Sequence, residues 1–216
     1  MVSSGATSFE LLGKNDFDGV RRLIEADAAC VRARDGNGVS LLMHCIYRGR
    51  RDLAERIADQ KPLDIFEAAS LGRIDRLGEL ARNSAAINSH STDGFTALHF
   101  ACFFGQPESA RLLIERGAAV DPVAANPMKV TPLHSAASAR NLEAARLLLE
   151  HGAAPNARQQ GGWVPIHSAA QNGDRAMVDL LLRHGADPNL ANADGQTAAM
   201  MARGKGHEEI ATLLEG

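Results

Sequence analysis

A four-residue pattern recurs along the chain at an almost constant interval. It reads Thr96-Ala97-Leu98-His99, Thr131-Pro132-Leu133-His134, Val164-Pro165-Ile166-His167 and Thr197-Ala198-Ala199-Met200, at intervals of 35, 33 and 33 residues. A period near 33 residues is typical of a solenoid, in which each unit buries its apolar face only against its neighbours. The 216 residues are therefore predicted to form one elongated array, although their number would also allow two compact domains.

The residues of each unit favour helices over strands. The chain is 45% hydrophobic but only 4% aromatic, so most apolar residues are alanine and leucine. Thr131 is suited to the N-cap of a helix, and Pro132 then takes the first helical position, where a missing N–H costs nothing. Leucine runs such as 180–182 predict a bulkier second helix, and Gly185 after that run suits a left-handed helix end.

These motifs resemble the ankyrin repeat family. Its repeats carry Thr-Pro-Leu-His, two alanines, a turn glycine, a leucine run and Gly-Ala-Asp; residues 164–187 show this order with Ala169-Ala170, Gly173, Leu180-Leu181-Leu182 and Gly185-Ala186-Asp187. The resemblance implies an all-α solenoid of stacked helix-turn-helix units joined by short β-hairpin-like loops. It also implies that the concave face binds a partner protein.

The repeat register divides residues 1–216 into a single domain of about seven units. The predicted units are a degenerate N-terminal cap (1–37), two weak units with a shortened junction (38–62 and 63–91), three consensus-like units (92–126, 127–159 and 160–192) and a C-terminal cap (193–216). The second and third units start at residues 40 and 63, only 23 apart, so one hairpin is expected to be missing near Lys61-Pro62. Two extra residues in 122–128 predict a longer hairpin there, and Arg140 stands where other units have a turn glycine.

Charge and cysteine content limit the class of partner. The net charge is −3 with acids and bases intermixed, which argues against a nucleic-acid partner. The chain lacks an uncharged apolar run of about 18 residues, so membrane insertion is not expected. Cys30, Cys45 and Cys102 have no metal-type spacing and are expected to be buried, reduced thiols. We therefore expect a cytoplasmic protein that is monomeric when alone.

No motif predicts catalysis, a cofactor or a metal. The sequence shows no phosphate-binding loop, nucleophile elbow or His-Glu-x-x-His motif. His99, His134 and His167 recur in phase, and the family resemblance implies that each hydrogen-bonds within its own motif and to the next repeat. Helices stacked about 8–10 Å apart would also hold these rings too far apart to share a zinc ion. A hydrolase using Ser135 with His134, or Ser168 with His167, remains open as an alternative.

The family resemblance also implies which positions face the groove. They are the residue after each hairpin glycine and the pair before each turn glycine: Phe95, Val130, Trp163 and Gln196 in the first row, and Tyr47-Arg48, Ser70-Leu71, Phe103-Phe104, Ser138-Ala139, Gln171-Asn172 and Gly204-Lys205 in the second. Most of the few aromatic residues fall on these rows, whereas Phe100 is expected in the core.

The residues predicted to bind protein are Phe95, Phe103, Phe104, Val130, Trp163, Gln171, Asn172, Tyr47 and Arg48. Exposed aromatics of this kind are typical of interface hot spots. Two alternatives stay open, because Phe103 could pack between repeats and Tyr47 could cover the shortened junction. The predicted function is a non-catalytic protein-interaction module, and the alternative is an inhibitory subunit that blocks the active site of an enzyme or a toxin.

Overall fold

A computed structural model describes residues 4–216, so the first three residues of the predicted N-terminal cap lie outside it. These residues form short helices in succession and, among themselves, no β-sheet. The helices are α1 (Ser4–Gly13), α2 (Phe17–Ala26), α3 (Leu41–Tyr47), α4 (Arg51–Ala58), α5 (Ile65–Leu71), α6 (Ile74–Leu80), α7 (Ser84–Ile87), α8 (Ala97–Phe103), α9 (Pro107–Glu115), α10 (Pro132–Ser138), α11 (Leu142–Glu150), α12 (Pro165–Gln171), α13 (Arg175–Arg183), α14 (Ala198–Gly204) and α15 (Glu208–Glu215). The all-α prediction is confirmed.

The helices pack in two layers. The inner layer is the row α3, α5, α8, α10, α12 and α14, in which each helix contacts the next, and the second helix of each pair packs behind its partner. Buried alanines such as Ala136 and Ala169 let the inner helices approach closely, and buried leucines such as Leu113, Leu148 and Leu181 fill the space behind them. The inner helices and the loops before them therefore bound the concave side.

The loops before the inner helices, except the one before α5, form hairpin-like fingers, as predicted. Each is closed by a backbone hydrogen bond, for example from the amide of Ser91 to the carbonyl of Phe95 at 2.8 Å. Successive fingers are also joined, because the amide of Ala125 donates to Gly94 at 2.7 Å and that of Gln160 donates to Met128 at 2.9 Å. The longer finger keeps this pattern and is closed between Ala124 and Val130. These bonds satisfy backbone groups that would otherwise be left unpaired.

One finger is absent, which confirms the prediction from the 23-residue spacing. Residues 59–64 connect α4 directly to α5 without a hairpin. The fingers on either side of this gap lie against each other. Gly38 of one approaches Thr92 of the other so closely that a Cβ on Gly38 would be only 3.0 Å from Cγ2 of Thr92. Ser70 and Leu71, predicted to face the groove, are instead buried, and the Ser70 hydroxyl lies against Met43 of α3. The Ser70 hydroxyl donates to the carbonyl of Phe66, as expected of a helix packed on all sides.

Arg140 adopts the left-handed conformation predicted for it, with φ of +58°. Replacing Arg140 with glycine is expected to raise the free energy of unfolding by about 1 kcal/mol, because glycine removes the steric strain of a side chain in this region. The exposed guanidinium donates to the carbonyl of Asn172, and loss of this solvent-exposed bond should offset only part of the gain. Denaturant unfolding of the wild type, Arg140→Gly and Arg140→Ala measures the effect. Arg140→Ala keeps the strain and loses the guanidinium, so a glycine variant no more stable than the alanine variant would contradict the expectation.

Candidate functional site

An apolar groove lies on the concave side, between the fingers and the ends of α8 and α10. Its volume is about 310 Å³. The lining residues are Tyr47, Phe95, His99, Phe100, Phe103, Phe104, Met128, Val130, His134, Ser135, Ser138 and Gln159. Four of the predicted binding aromatics therefore meet in one place, and we call this surface the aromatic groove.

Phe100 organises the aromatic side chains of the groove. It is buried, as predicted, and its ring lies 5.6 Å from Phe95, 6.2 Å from Phe104 and 6.0 Å from Phe66 between centroids. Phe95 and Phe104 are half-buried against it. Phe103 meets Phe104 edge-on at 5.2 Å. Offset and edge-to-face contacts at these distances stabilise aromatic clusters, so the wall of the groove is pre-formed.

Tyr47 reaches the groove from the other side of the missing finger. Its ring lies 5.9 Å from Phe104, and its hydroxyl donates a hydrogen bond to the carboxylate of Asp93. Burial, together with the Asp93 carboxylate, raises the pKa of Tyr47, so the hydroxyl stays protonated and remains a donor. Tyr47 thus bridges the second and fourth units and lines the groove with 41% of its surface exposed.

The most exposed apolar residues of the groove are Phe103 and Met128, at 49% and 50%. Phe103 was predicted to bind, and its exposure argues against the alternative that it packs between repeats. Met128 was not predicted. It lies in the longer finger, two positions before the residue that the repeat register placed in the groove, so the register alone could not find it. The only available signal was a large apolar residue in a finger that is longer than its equivalents.

Val130 was predicted to be a contact residue, and it lines the groove with little of its side chain exposed. Its side chain is only 7% exposed, and its carbonyl accepts a hydrogen bond from Nε2 of His99 at 3.0 Å. The bond joins the backbone of the finger to α8, and the valine side chain lies in the floor of the groove. Val130 therefore shapes the groove and offers little area to a partner.

Four further predicted residues lie outside the lining of the groove. Trp163 is half-buried and packs edge-on against His167, with 5.8 Å between centroids. The side-chain amide of Asn172 donates to the carbonyl of Ser138 at 3.2 Å and so ties α12 to α10, while its neighbour Gln171 is half-buried. Arg48 is exposed beside His44. Their roles in binding stay predictions.

The three in-phase histidines make the structural bonds that the family resemblance implied. The amide of Thr96 donates to Nδ1 of His99, which fixes the neutral tautomer with its proton on Nε2, and this proton is donated to the next finger. His134 and His167 repeat the arrangement with the carbonyls of Trp163 and Leu190. Burial lowers the pKa of His99 and of His134 to about 4 and also lowers that of His167.

The three cysteines are also buried. Cys30, Cys45 and Cys102 are free and buried, as predicted, and burial raises the pKa of the Cys45 thiol to about 12. A thiol in this environment is a poor nucleophile. Within residues 4–216, no group of three or more His, Cys, Asp or Glu side chains could hold a metal ion. In the same part of the chain, no helix is long and apolar enough to span a bilayer.

Comparison with known proteins agrees with this architecture. Family models described as ankyrin repeats match residues 65–159 and 148–202, which together cover more than half of the 216 residues. The chain belongs to the ankyrin repeat family. It is also similar to the ankyrin repeat domain-containing protein oryK of Aspergillus oryzae, with 42% identity over 60 residues, 28% of this chain. The matched segment covers only 10% of that relative's length, so the likeness concerns the repeats and not the whole relative.

Proposed function

We propose that the chain is a non-catalytic protein-interaction module and that the aromatic groove is its contact surface. Ankyrin repeats are generally protein-protein interaction modules, and the groove is the concave surface of this array. The observation that carries the proposal is the exposure of both Phe103 and Met128 in the lining of one apolar groove.

The energetics of the groove support this proposal. Leaving half of a phenylalanine and half of a methionine in water forgoes hydrophobic stabilisation of about 25 cal/mol per Å² of apolar surface. No contact within the fold recovers that area, whereas a bound partner would. The buried Phe100 holds Phe104 and, through it, Phe103, so little side-chain entropy is lost when a partner packs on them. Pre-organised aromatic residues of this kind are typical of binding hot spots.

The geometry of the histidines supports the non-catalytic part of the proposal. Both ring nitrogens of His134 and of His167 are engaged with backbone groups or, for His134, also with a threonine hydroxyl. Neither ring has a free nitrogen that could remove a proton from Ser135 or Ser168. The lowered pKa values make these histidines still weaker bases. The hydrolase alternative therefore has no support in the arrangement of these residues.

Replacing Phe103 and Met128 together with serine is expected to abolish partner binding and leave the fold intact, because both side chains are half exposed. The test compares affinity capture by the wild type and by the double variant, with equal melting temperatures as a condition. Met200→Ser is a matched control, since Met200 is 56% exposed on α14 and lies outside the groove lining. Proteins captured by the wild type and Met200→Ser but lost with the double variant would support the proposal. Equal capture by all three proteins would refute it.

A further inference from the structure

Two residues beside the aromatic groove adopt a left-handed backbone without being glycine. They are Lys129, with φ of +52°, and Arg140, with φ of +58°. The other fingers have glycine at the position of Lys129, namely Gly38, Gly94, Gly162 and Gly195, all with positive φ. At the position of Arg140 the other units have Gly49, Gly72, Gly105, Gly173 and Gly206, and the first unit has Asn15, all with positive φ as well. The unit that contributes α10 to the groove thus carries a cation at both of these strained positions.

The side chains of Lys129 and Arg140 make few contacts within the fold that would offset this strain. The ammonium group of Lys129 makes no hydrogen bond or ion pair with any residue in 4–216, and its side chain is exposed. Arg140 is also exposed and donates only to a backbone carbonyl, that of Asn172. Strained backbone conformations that the packing does not require are concentrated at functional sites. The two cations therefore point to a role outside the folding of the chain.

The charged residues next in sequence to the groove lining are also mostly cations. Four cations lie within two positions of a lining residue: Arg48, Lys129, Arg140 and Arg158. No carboxylate in residues 4–216 pairs with any of them; Arg158, for instance, donates to the carbonyls of Gly162 and Ala191. Several arginines of the outer layer do pair with carboxylates, as Arg111 does with Glu143 at 3.2 Å, whereas Arg183 on α13 pairs with none of those in the described part of the chain.

The only acid within two positions of a lining residue is Asp93, and it already accepts hydrogen bonds from Tyr47 and Ser91. Among residues next in sequence to the groove lining, cations therefore outnumber acids by four to one, in a chain whose net charge is −3. Cations without carboxylate partners beside an apolar surface complement a ligand that is apolar in its centre and negative at its ends.

We propose that the aromatic groove binds a short apolar segment of a partner protein that is flanked by acidic residues. This proposal rests on the proposed function and adds the chemistry of the partner. The apolar side chains of the segment pack on Phe103 and Met128, and its carboxylates pair with Lys129 and Arg140. At about 310 Å³ the groove is small, so it accepts a short segment and not the face of a folded domain.

Binding of three fluorescent peptides to the full chain tests the proposal. The first has a Leu-Leu-Phe centre with two glutamates on each side, the second has lysines in place of the glutamates, and the third has serines in place of the apolar centre. We expect the glutamate-flanked peptide to bind at least about tenfold more tightly than either of the others in low salt, and to weaken as salt is added. The readout is fluorescence anisotropy at several salt concentrations.

Lys129→Gly and Arg140→Gly are the decisive variants, because an effect on binding cannot be ascribed to damage of the fold. Each is expected to raise the melting temperature by about 2–4 °C through release of strain. Each is also expected to weaken binding of the glutamate-flanked peptide by about three- to tenfold through loss of a cation. Arg183→Gln removes an exposed cation from the outer helix α13 and is expected to leave the affinity unchanged.

The outcomes separate this proposal from the one on which it rests. The lysine-flanked peptide could bind as tightly as the glutamate-flanked one, or more tightly, and lose this binding in Phe103→Ser. That result would overturn the acidic partner but keep the groove as the binding surface. Equal binding of the serine-centred peptide would overturn the apolar segment. If no peptide binds, or if binding survives both Phe103→Ser and Met128→Ser, the proposal of this partner and the assignment of the groove both fail.

Discussion

Replacing Lys61 with methionine is expected to lower the free energy of unfolding by about 3–5 kcal/mol, a large effect for a single residue in a loop. The Lys61 ammonium lies 2.5 Å from Oε2 of Glu67, and the two side chains are only 7% and 0% exposed. Without the lysine, the Glu67 carboxylate stays buried with only the hydroxyl of Ser40 and the amide of Asp64 as partners. A buried charge that has lost its counterion is among the most destabilising changes in a protein.

The double variant Lys61→Met with Glu67→Gln provides the control. A neutral amide removes the unpaired charge, and its oxygen can accept from the amide of Asp64 while its NH2 donates to the Ser40 hydroxyl, so we expect it to recover at least about half of the lost stability. Lys205→Met, which removes an exposed cation on the last helix pair, is expected to change stability by less than about 0.5 kcal/mol. Denaturant unfolding monitored by circular dichroism measures all three variants. A Lys61→Met variant as stable as the wild type would show that the pair is not buried in solution.

Lowering the pH from 7 to 5 is expected to destabilise the chain by about 2 kcal/mol for each of His99 and His134. In the folded state both have a pKa of about 4, whereas an unfolded histidine titrates near the ordinary value of about 6.5. The unfolded state therefore binds more protons below pH 6.5, so stability is fully present above that pH and is lost progressively as the pH falls towards 4. Aspartates and glutamates titrate mainly below this window.

His134→Gln identifies the source of this pH dependence. The variant removes one histidine whose pKa is lowered in the folded state. Its stability should therefore be lower than that of the wild type at pH 7 but should fall less steeply between pH 7 and pH 5. His184→Gln is the control, because His184 is exposed at the end of α13 and should leave the slope unchanged. Denaturant midpoints at four pH values give the slopes. Identical slopes for the wild type and His134→Gln would show that the buried histidines do not govern acid stability.

The sequence alone predicted most of the fold, because the determinants of a repeat are local and recur. The period of about 33 residues fixed the solenoid, Pro132 after Thr131 predicted the start of an inner helix, and the 23-residue spacing predicted the absence of a finger. The left-handed Arg140 followed from its place in a series of glycines. In each case one residue could be compared with its equivalents in other units, so its environment was known before any contact was seen.

What the sequence could not determine lies where contacts join residues that the repeat register does not relate. Tyr47 reaches Asp93 across 46 positions because the absent finger brings the second and fourth units together. The pairing of Lys61 with Glu67 belongs to the same irregular junction. Val130 is buried and Met128 is exposed in the longer finger, whose two extra residues have no equivalent in the other units. The period therefore determined where each helix lies, whereas the shape and the charge of the groove were decided by tertiary contacts at the points where the period fails.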